Sequence, residues 1–224
     1  MSDSAKQLIT NQLTLKPINK LFEYSFYIPA YQRGYRWTET QVKNLLVDIW
    51  LFTGKKEKKN GEFYCLQPIV VKKLDNKIFE IIDGQQRFTT IFLILKYLEK
   101  LINDAFNNFS FSPPLYDTRK NNKEFLDNIN TKTEKEAIRK IDDFHIWKAY
   151  DIIKEWFENK ENNINKIDFL NTLLKYNEEE QDGNTTDTSN NVRVIWYEIN
   201  DDETNDSIDI FTRLNIGKIP LTDA

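Results

Sequence analysis

The chain has 224 residues, with 31 Lys and Arg against 35 Asp and Glu, a net charge of −4 and a pI near 5.3. That length supports one large or two small domains with a real core, and the acidic balance excludes a global basic field, so any nucleic-acid contact must be local. One cysteine, Cys65, excludes disulfides within the chain and cysteine-rich zinc sites, and one histidine, His145, excludes a histidine-built metal centre.

No apolar h-region follows Met1, and the longest apolar run, Ile91 to Leu95, is far too short to span a bilayer, so a cytoplasmic protein without a membrane segment is expected. Residues 1–25 read as a loosely ordered start with Leu13, Leu15, Ile18, Leu21 and Phe22 as anchors. Phe26 to Pro29 is a short strand, followed by a loop dense in aromatic and arginine residues from Tyr31 to Trp37. Thr38 to Gln41 is a capping-box pattern opening a helix with Val42, Leu45, Leu46, Ile49 and Phe52 on one face. The charged run from Gly54 to Gly61 reads as a solvated connector.

Two strands follow, Phe63 to Lys72 and Lys77 to Ile82, joined by a turn at Asp75-Asn76; Pro68 inside the first predicts an edge position or a bulge. After Asp83-Gly84 the chain becomes a nearly continuous apolar run to about Ile102, the pattern of a central buried helix. Thr133 to Glu136 is a second capping box, opening one long helix that carries Ile138, Ile141, Ile146, Ala149, Ile152, Ile153 and Trp156. Ile164 to Tyr176 is a further amphipathic helix, and 177–191 is too polar for anything but a mobile loop. Val192 to Ile199 alternates as a strand, Thr204 to Leu214 is helical, and Thr222 is a helix-start signal with no helix after it, which predicts an N-terminal fragment of a longer protein.

Strands flanking a buried helix give an α/β (α+β) fold with a mixed sheet. Its expected layout is a core from 1–104 and 192–224 with a helical insertion over 105–191.

The chemistry concentrates at Asp83 to Arg87. Helix N-termini expose unpaired N–H groups and positive partial charge, so a Gly-led helix start beside an arginine favours anions. Gly34, Gly84 and Gly217, three of the six glycines, sit in polar–aromatic clusters. So do Arg33, Arg36, Arg87 and Arg213, four of the seven arginines. Arginine forks phosphate and carboxylate, whereas lysine suits solvated surface. The turn is neither a Walker A loop nor a Gly-x-Gly-x-x-Gly loop.

By chemistry, Gly84 lets backbone approach a phosphate, and Gln85, Gln86, Arg87, Thr89 and Thr90 can donate to its oxygens. Asp83 has two readings. It either bridges to phosphate through a divalent cation or positions a water, or it caps the helix with Gln86 completing a capping box. The Tyr31 to Trp37 loop offers aromatic faces and guanidiniums suited to stacking a base and gripping phosphate; Tyr35 and Trp37 also fit an aromatic plug on the core, while Arg33 has no evident structural reason.

Three clusters together resemble the N-terminal S domain of GmrSD-type modification-dependent restriction enzymes, a family with a ParB/sulfiredoxin-like fold. They are Ile28-Pro-x-Tyr-Gln-Arg-x-Tyr-x-Trp37, Asp83-Gly-Gln-Gln-Arg87 with Thr89-Thr90, and Phe211-x-Arg-Leu-Asn-x-Gly-x-x-Pro-Leu-Thr222. The resemblance implies binding and hydrolysis of a nucleoside triphosphate with Mg²⁺, coupled to DNA cleavage by a separate HNH-type nuclease domain. It makes Asp83, Gly84, Gln85, Gln86 and Arg87 the nucleotide turn, with Asp83, Gln86 and Arg87 as its catalytic members and Asp83 the metal contact. Tyr31, Gln32 and Arg33 form the facing loop, and Arg213 and Asn215 come from the third cluster. A homo-oligomer is compatible with this reading. Two alternatives stay open: a non-enzymatic DNA-sensing module built on Tyr31, Arg33, Arg36, Trp37 and the Lys55 to Lys59 block, and a docking platform for a partner nuclease.

Overall fold

The computed structural model describes residues 12–106, 109–117, 122–181 and 184–199. Within them, eight strands and eight α-helices form a mixed α/β architecture built on a six-stranded sheet. The sheet begins at its edge with β1 (Gln12–Pro17), which leads through α1 (Ile18–Leu21) to β2 (Ser25–Ile28). The start of the chain is therefore more ordered than its polarity suggests. Ile18, Leu21 and Phe22 are buried as expected, while Leu13 and Leu15 lie exposed on β1.

Helix α2 (Glu39–Gly54) opens on the Thr38–Gln41 capping box and buries the five apolar residues of its stripe. β3 (Tyr64–Asp75) and β4 (Ile78–Asp83) form a hairpin whose turn places Lys77 at φ +63°. Pro68 is not on an edge. β3 lies inside the sheet, parallel to the last strand, β8 (Val192–Ile199), and antiparallel to β4; the register with β8 slips between Leu66 and Ile69. A bulge there lets a residue without an N–H sit in an interior strand. β8 continues to β1, and β4 to β2 and the short β5 (Leu115–Tyr116).

Helix α3 (Gln85–Tyr97) follows β4 and is the central buried helix: from Phe88 to Leu95 every residue is buried. The expected run to Ile102 is interrupted at Leu98, after which α4 (Glu99–Ala105) follows. Beyond the short α5 (Asn122–Asp127), the single helix expected from Thr133 is two, α6 (Glu134–Ala137) and α7 (Ile141–Glu158). Ile146, Ala149, Tyr150, Ile153, Trp156 and Phe157 keep helical spacing and are buried. Ile138 and Ile141 fall out of that phase and stay exposed. α8 (Lys166–Leu174) is capped by the Asn165 side chain, which accepts from Ile167 N at 3.0 Å and Asp168 N at 3.3 Å.

In place of the expected loop at 177–191 stands an antiparallel hairpin, β6 (Glu178–Gln181) with β7 (Asn184–Asp187). Side-chain ties hold the end of β7: Arg193 pairs with Asp187 at 3.1 Å, and Asn191 Nδ2 donates to Asp187 Oδ2 at 2.7 Å. One hydrophobic cluster unites the sheet face bearing Ile69, Ile81 and Trp196 with α2, α3, α7 and α8. The helical stretch thus packs on the same core as the sheet.

Phe88 is central to that cluster, fully buried, with its ring 5.3 Å from Phe22 and 4.3 Å from Phe26. Phe88→Ala is expected to cost about 3–5 kcal/mol of unfolding free energy, read from the urea midpoint at unchanged slope.

Candidate functional site

The site is built where β4 hands over to α3. Gly84 turns the chain at φ +94° and is the residue before the first turn of α3. A Cβ there would lie 3.0 Å from Pro68 O and 3.2 Å from both Ile69 Cα and its Cγ1. Glycine is therefore required by two independent constraints, the left-handed backbone and the close approach of the β3 bulge. The missing side chain faces β3, so Gly84 makes room for protein backbone and not for a phosphate.

With Gly84 as N-cap, Asp83 is the last residue of β4 and does not cap the helix, and Gln86 is its second residue, so the capping-box alternative is overturned. Gln86 instead reaches across to the loop before α2. Its Oε1 accepts from Arg36 N at 2.7 Å and Trp37 N at 3.2 Å, and its Nε2 donates to Gly34 O at 3.0 Å. Gln85 does the same one residue earlier, donating to Arg33 O at 3.1 Å. Gln32 ties the other end of the loop, donating to Ile82 O at 3.1 Å and to Ile81 O.

Several residues expected to touch ligand are spent inside the protein. Thr90 is fully buried, between Tyr35 OH at 2.8 Å and Gln86 O at 2.9 Å; Thr89 is equally buried against Tyr116 OH at 2.8 Å. Burial pushes the Tyr35 phenol above its ordinary range, with the Thr90 hydrogen bond partly opposing, so it stays protonated and acts as the plug expected of it. Tyr31 donates to Glu80 Oε1 at 2.6 Å and does not line the cleft described below. Arg36 bonds Tyr35 O at 2.6 Å and pairs with Asp142 on α7.

The residues that do come together line an open cleft of about 810 Å³, within the ~300–1,000 Å³ range of small-molecule sites. One wall is the turn from Asp83 to Arg87, and the loop adds Arg33 and Trp37. Among the described residues the exposed Arg33 side chain has no hydrogen bond or ion pair, which leaves its guanidinium available. Arg87 donates to Gln67 O at 3.1 Å, Pro68 O at 2.8 Å and Gln67 Oε1. Burial draws its guanidinium below the ordinary value and the charge of Asp83 partly opposes this; it remains charged. Arg213 and Asn215 lie outside the described residues.

The opposite wall was missed in the sequence. Gln41, Asn44 and Asp48 of α2 face the cleft, as do Tyr64 and Gln67 of β3. The signal was there: a polar stripe at i, i+3, i+7 beside the apolar one on α2.

A mixed sheet with a strand–helix turn opening on a cleft places the chain in the α/β class, whose ligands commonly bind at such turns. The family model described as GmrSD restriction endonuclease, N-terminal domain, matches residues 12–224, and the chain belongs to that family. Membership implies a role in a restriction endonuclease system. Among curated proteins, nothing matches the chain. No helix among the described residues is long and apolar enough to cross a membrane.

Because Gln86 alone satisfies two loop amides and one carbonyl, Gln86→Ala is expected to lower stability by about 1–3 kcal/mol. Faster amide hydrogen exchange at Arg36 and Trp37 should accompany the loss, by a larger factor than in β8.

Proposed function

We propose that the domain binds a nucleoside triphosphate in this cleft and hydrolyses it, and thereby controls a separate HNH-type nuclease domain acting on DNA. The observation that supports this best is the convergence of the Arg33 guanidinium, the Arg87 guanidinium and the start of α3 on one cleft. The first-turn N–H groups of a helix lack intrahelical partners and favour a negative ligand. Gly84 as N-cap contributes no side-chain cap to compete for them. Trp37 adds an aromatic face at the rim of the same space.

Asp83 then has work that helix capping no longer explains. Mg²⁺ is bound in such sites through one or two carboxylates plus substrate phosphates. Asp83 on the turn wall fits that donor set, and a protein-only cage is not needed: no group of three or more His, Cys, Asp or Glu among the described residues could hold a metal ion. When bound, the ion offsets the repulsion between carboxylate and phosphates. On this reading Asp83 would also orient a water for attack on the terminal phosphate. A ParB/sulfiredoxin-like ancestry is consistent with this placement of ligand beside a strand-to-helix turn.

The DNA-sensing alternative draws less support. Arg36 is paired with Asp142, Tyr31 with Glu80 and Lys55 with Glu62, so much of its basic and aromatic set is engaged within the chain.

Titration calorimetry with a nucleoside triphosphate and Mg²⁺ tests the proposal. Arg33→Ala is expected to weaken binding about tenfold or more, the worth of charge-assisted hydrogen bonds, without lowering the melting temperature. Asp83→Asn is expected to keep binding and lose phosphate release. Absence of nucleotide binding by the unaltered protein would sink the reading.

A further inference from the structure

The cleft has a far end that the strand–helix turn does not account for. Gln41, Asn44 and Asp48 form one stripe of α2, bordering the buried stripe of Val42, Leu45 and Ile49. Such a stripe is ordinarily solvated surface, but here it is a wall. Tyr64 OH donates to Asp48 Oδ2 at 3.0 Å, which anchors the carboxylate to the start of β3. The other Asp48 oxygen and the Asn44 amide have no protein partner among the described residues, and both border the cleft.

The two walls run in register. From Gln41 to Asp48 the helix rises about 10 Å, and from Tyr64 to Pro68 β3 extends about 13 Å. α2 starts beside the turn, where Gln86 accepts from Trp37 N, and β3 reaches it at Pro68, where Arg87 donates. Asp48 and Tyr64 therefore lie together at the end away from Arg33 and Arg87. The cleft carries polar groups at both ends, with guanidiniums, helix amides and Asp83 at one and Asp48 and Asn44 at the other, and Leu45 and Leu66 among the apolar residues of its lining. A nucleoside triphosphate has the matching asymmetry: an anionic tail, and a neutral sugar and base bearing O–H and N–H donors about one cleft-length away.

Resting on the nucleotide reading above, we propose that Asp48 and Asn44 hold the nucleoside half of the ligand. Asp48 accepts a hydrogen bond from a ribose hydroxyl or a base N–H, and Tyr64 positions it. With the guanidiniums of Arg33 and Arg87 at the other end, its charge also disfavours the reversed orientation of the ligand. The bond adds affinity for a ligand that carries the donor over one that lacks it.

The test titrates two probes, a nucleoside triphosphate with Mg²⁺ and inorganic tripolyphosphate, into the unaltered protein, Asp48→Asn and Arg33→Ala. Asp48→Asn is expected to weaken the nucleotide about tenfold or more and to leave tripolyphosphate unchanged, whereas Arg33→Ala weakens both. Tyr64→Phe, which keeps the ring and frees the carboxylate, should move the nucleotide alone, by a smaller factor. A gap between ribo- and deoxyribonucleotide that closes in Asp48→Asn places the bond on the sugar; a changed ranking of the four bases places it on the base. Equal losses for both probes, no loss, or tripolyphosphate binding the unaltered protein as tightly as nucleotide would each overturn the proposal while leaving an anion site standing. Failure of both probes to bind the unaltered protein overturns the nucleotide reading, and this one with it.

Discussion

Everything at the cleft depends on the contact between Gly84 and the bulge of β3. The bulge exists because Pro68 has no N–H to give to an interior ladder, so the register with β8 slips around it. Gly84 then packs its bare Cα face against Pro68 O and Ile69 Cα. That approach fixes where α3 starts and how it leaves the sheet. Arg87, one turn in, closes the arrangement by donating to the Gln67 and Pro68 carbonyls that the slipped ladder leaves aside. Two irregularities that would each weaken a sheet in isolation thus satisfy one another, and the cleft is the space their junction leaves beside α2.

The loop from Pro29 to Trp37 has no ladder of its own, so its backbone groups must be satisfied by side chains. Two glutamines of α3, Gln85 and Gln86, do this, while Gln32 ties the loop back to the β4 carbonyls of Ile81 and Ile82. An amide both donates and accepts, so Gln86 can serve two N–H groups and a carbonyl at once. It is also neutral. A carboxylate or guanidinium in its place would bias the electrostatics of the cleft, whereas amide braces leave the charge to Arg33, Arg87, Asp83 and Asp48. The density of glutamine around this turn is therefore explained by scaffolding before any contact with ligand is invoked.

That division also shows what was legible in the sequence. α2 was visible from its capping box and stripe, α3 from its apolar run, and β8 from its alternation, because each is set by local pattern. β1 was not, since Leu13 and Leu15 point to solvent and its pairing partner lies some 180 residues on. The β6–β7 hairpin was not, since Asp187, Asn191 and Arg193 hold it through contacts that composition does not reveal. At the site, two of the segments singled out in the sequence adjoin: Arg33 and the Asp83 to Arg87 turn share a cleft. It misjudged direction. Thr89 and Thr90 are hydroxyl donors by type, but the helix turns them toward Tyr116 and Tyr35, and residue type without orientation cannot separate a ligand contact from a buried tie.

The bracing has a consequence for binding. One wall of the cleft is fastened to the loop through Gln85 and Gln86 and to β3 through Arg87, and the α2 wall is fastened to β3 through Asp48 and Tyr64. The first wall cannot shift without breaking several of these bonds, and the second is held by the buried stripe of α2 as well as by the Tyr64–Asp48 bond, so the cleft is largely preformed and a ligand loses little in ordering it. Three of the five N–H groups of Arg87 are already committed to Gln67 and Pro68, which keeps that guanidinium in place and leaves it few donors for a ligand. Arg33 is the reverse, exposed and unpaired among the described residues, on a loop whose backbone is held but whose side chain is not. Under the nucleotide reading proposed above, the fixed arginine would supply position and the unheld one would close on a phosphate.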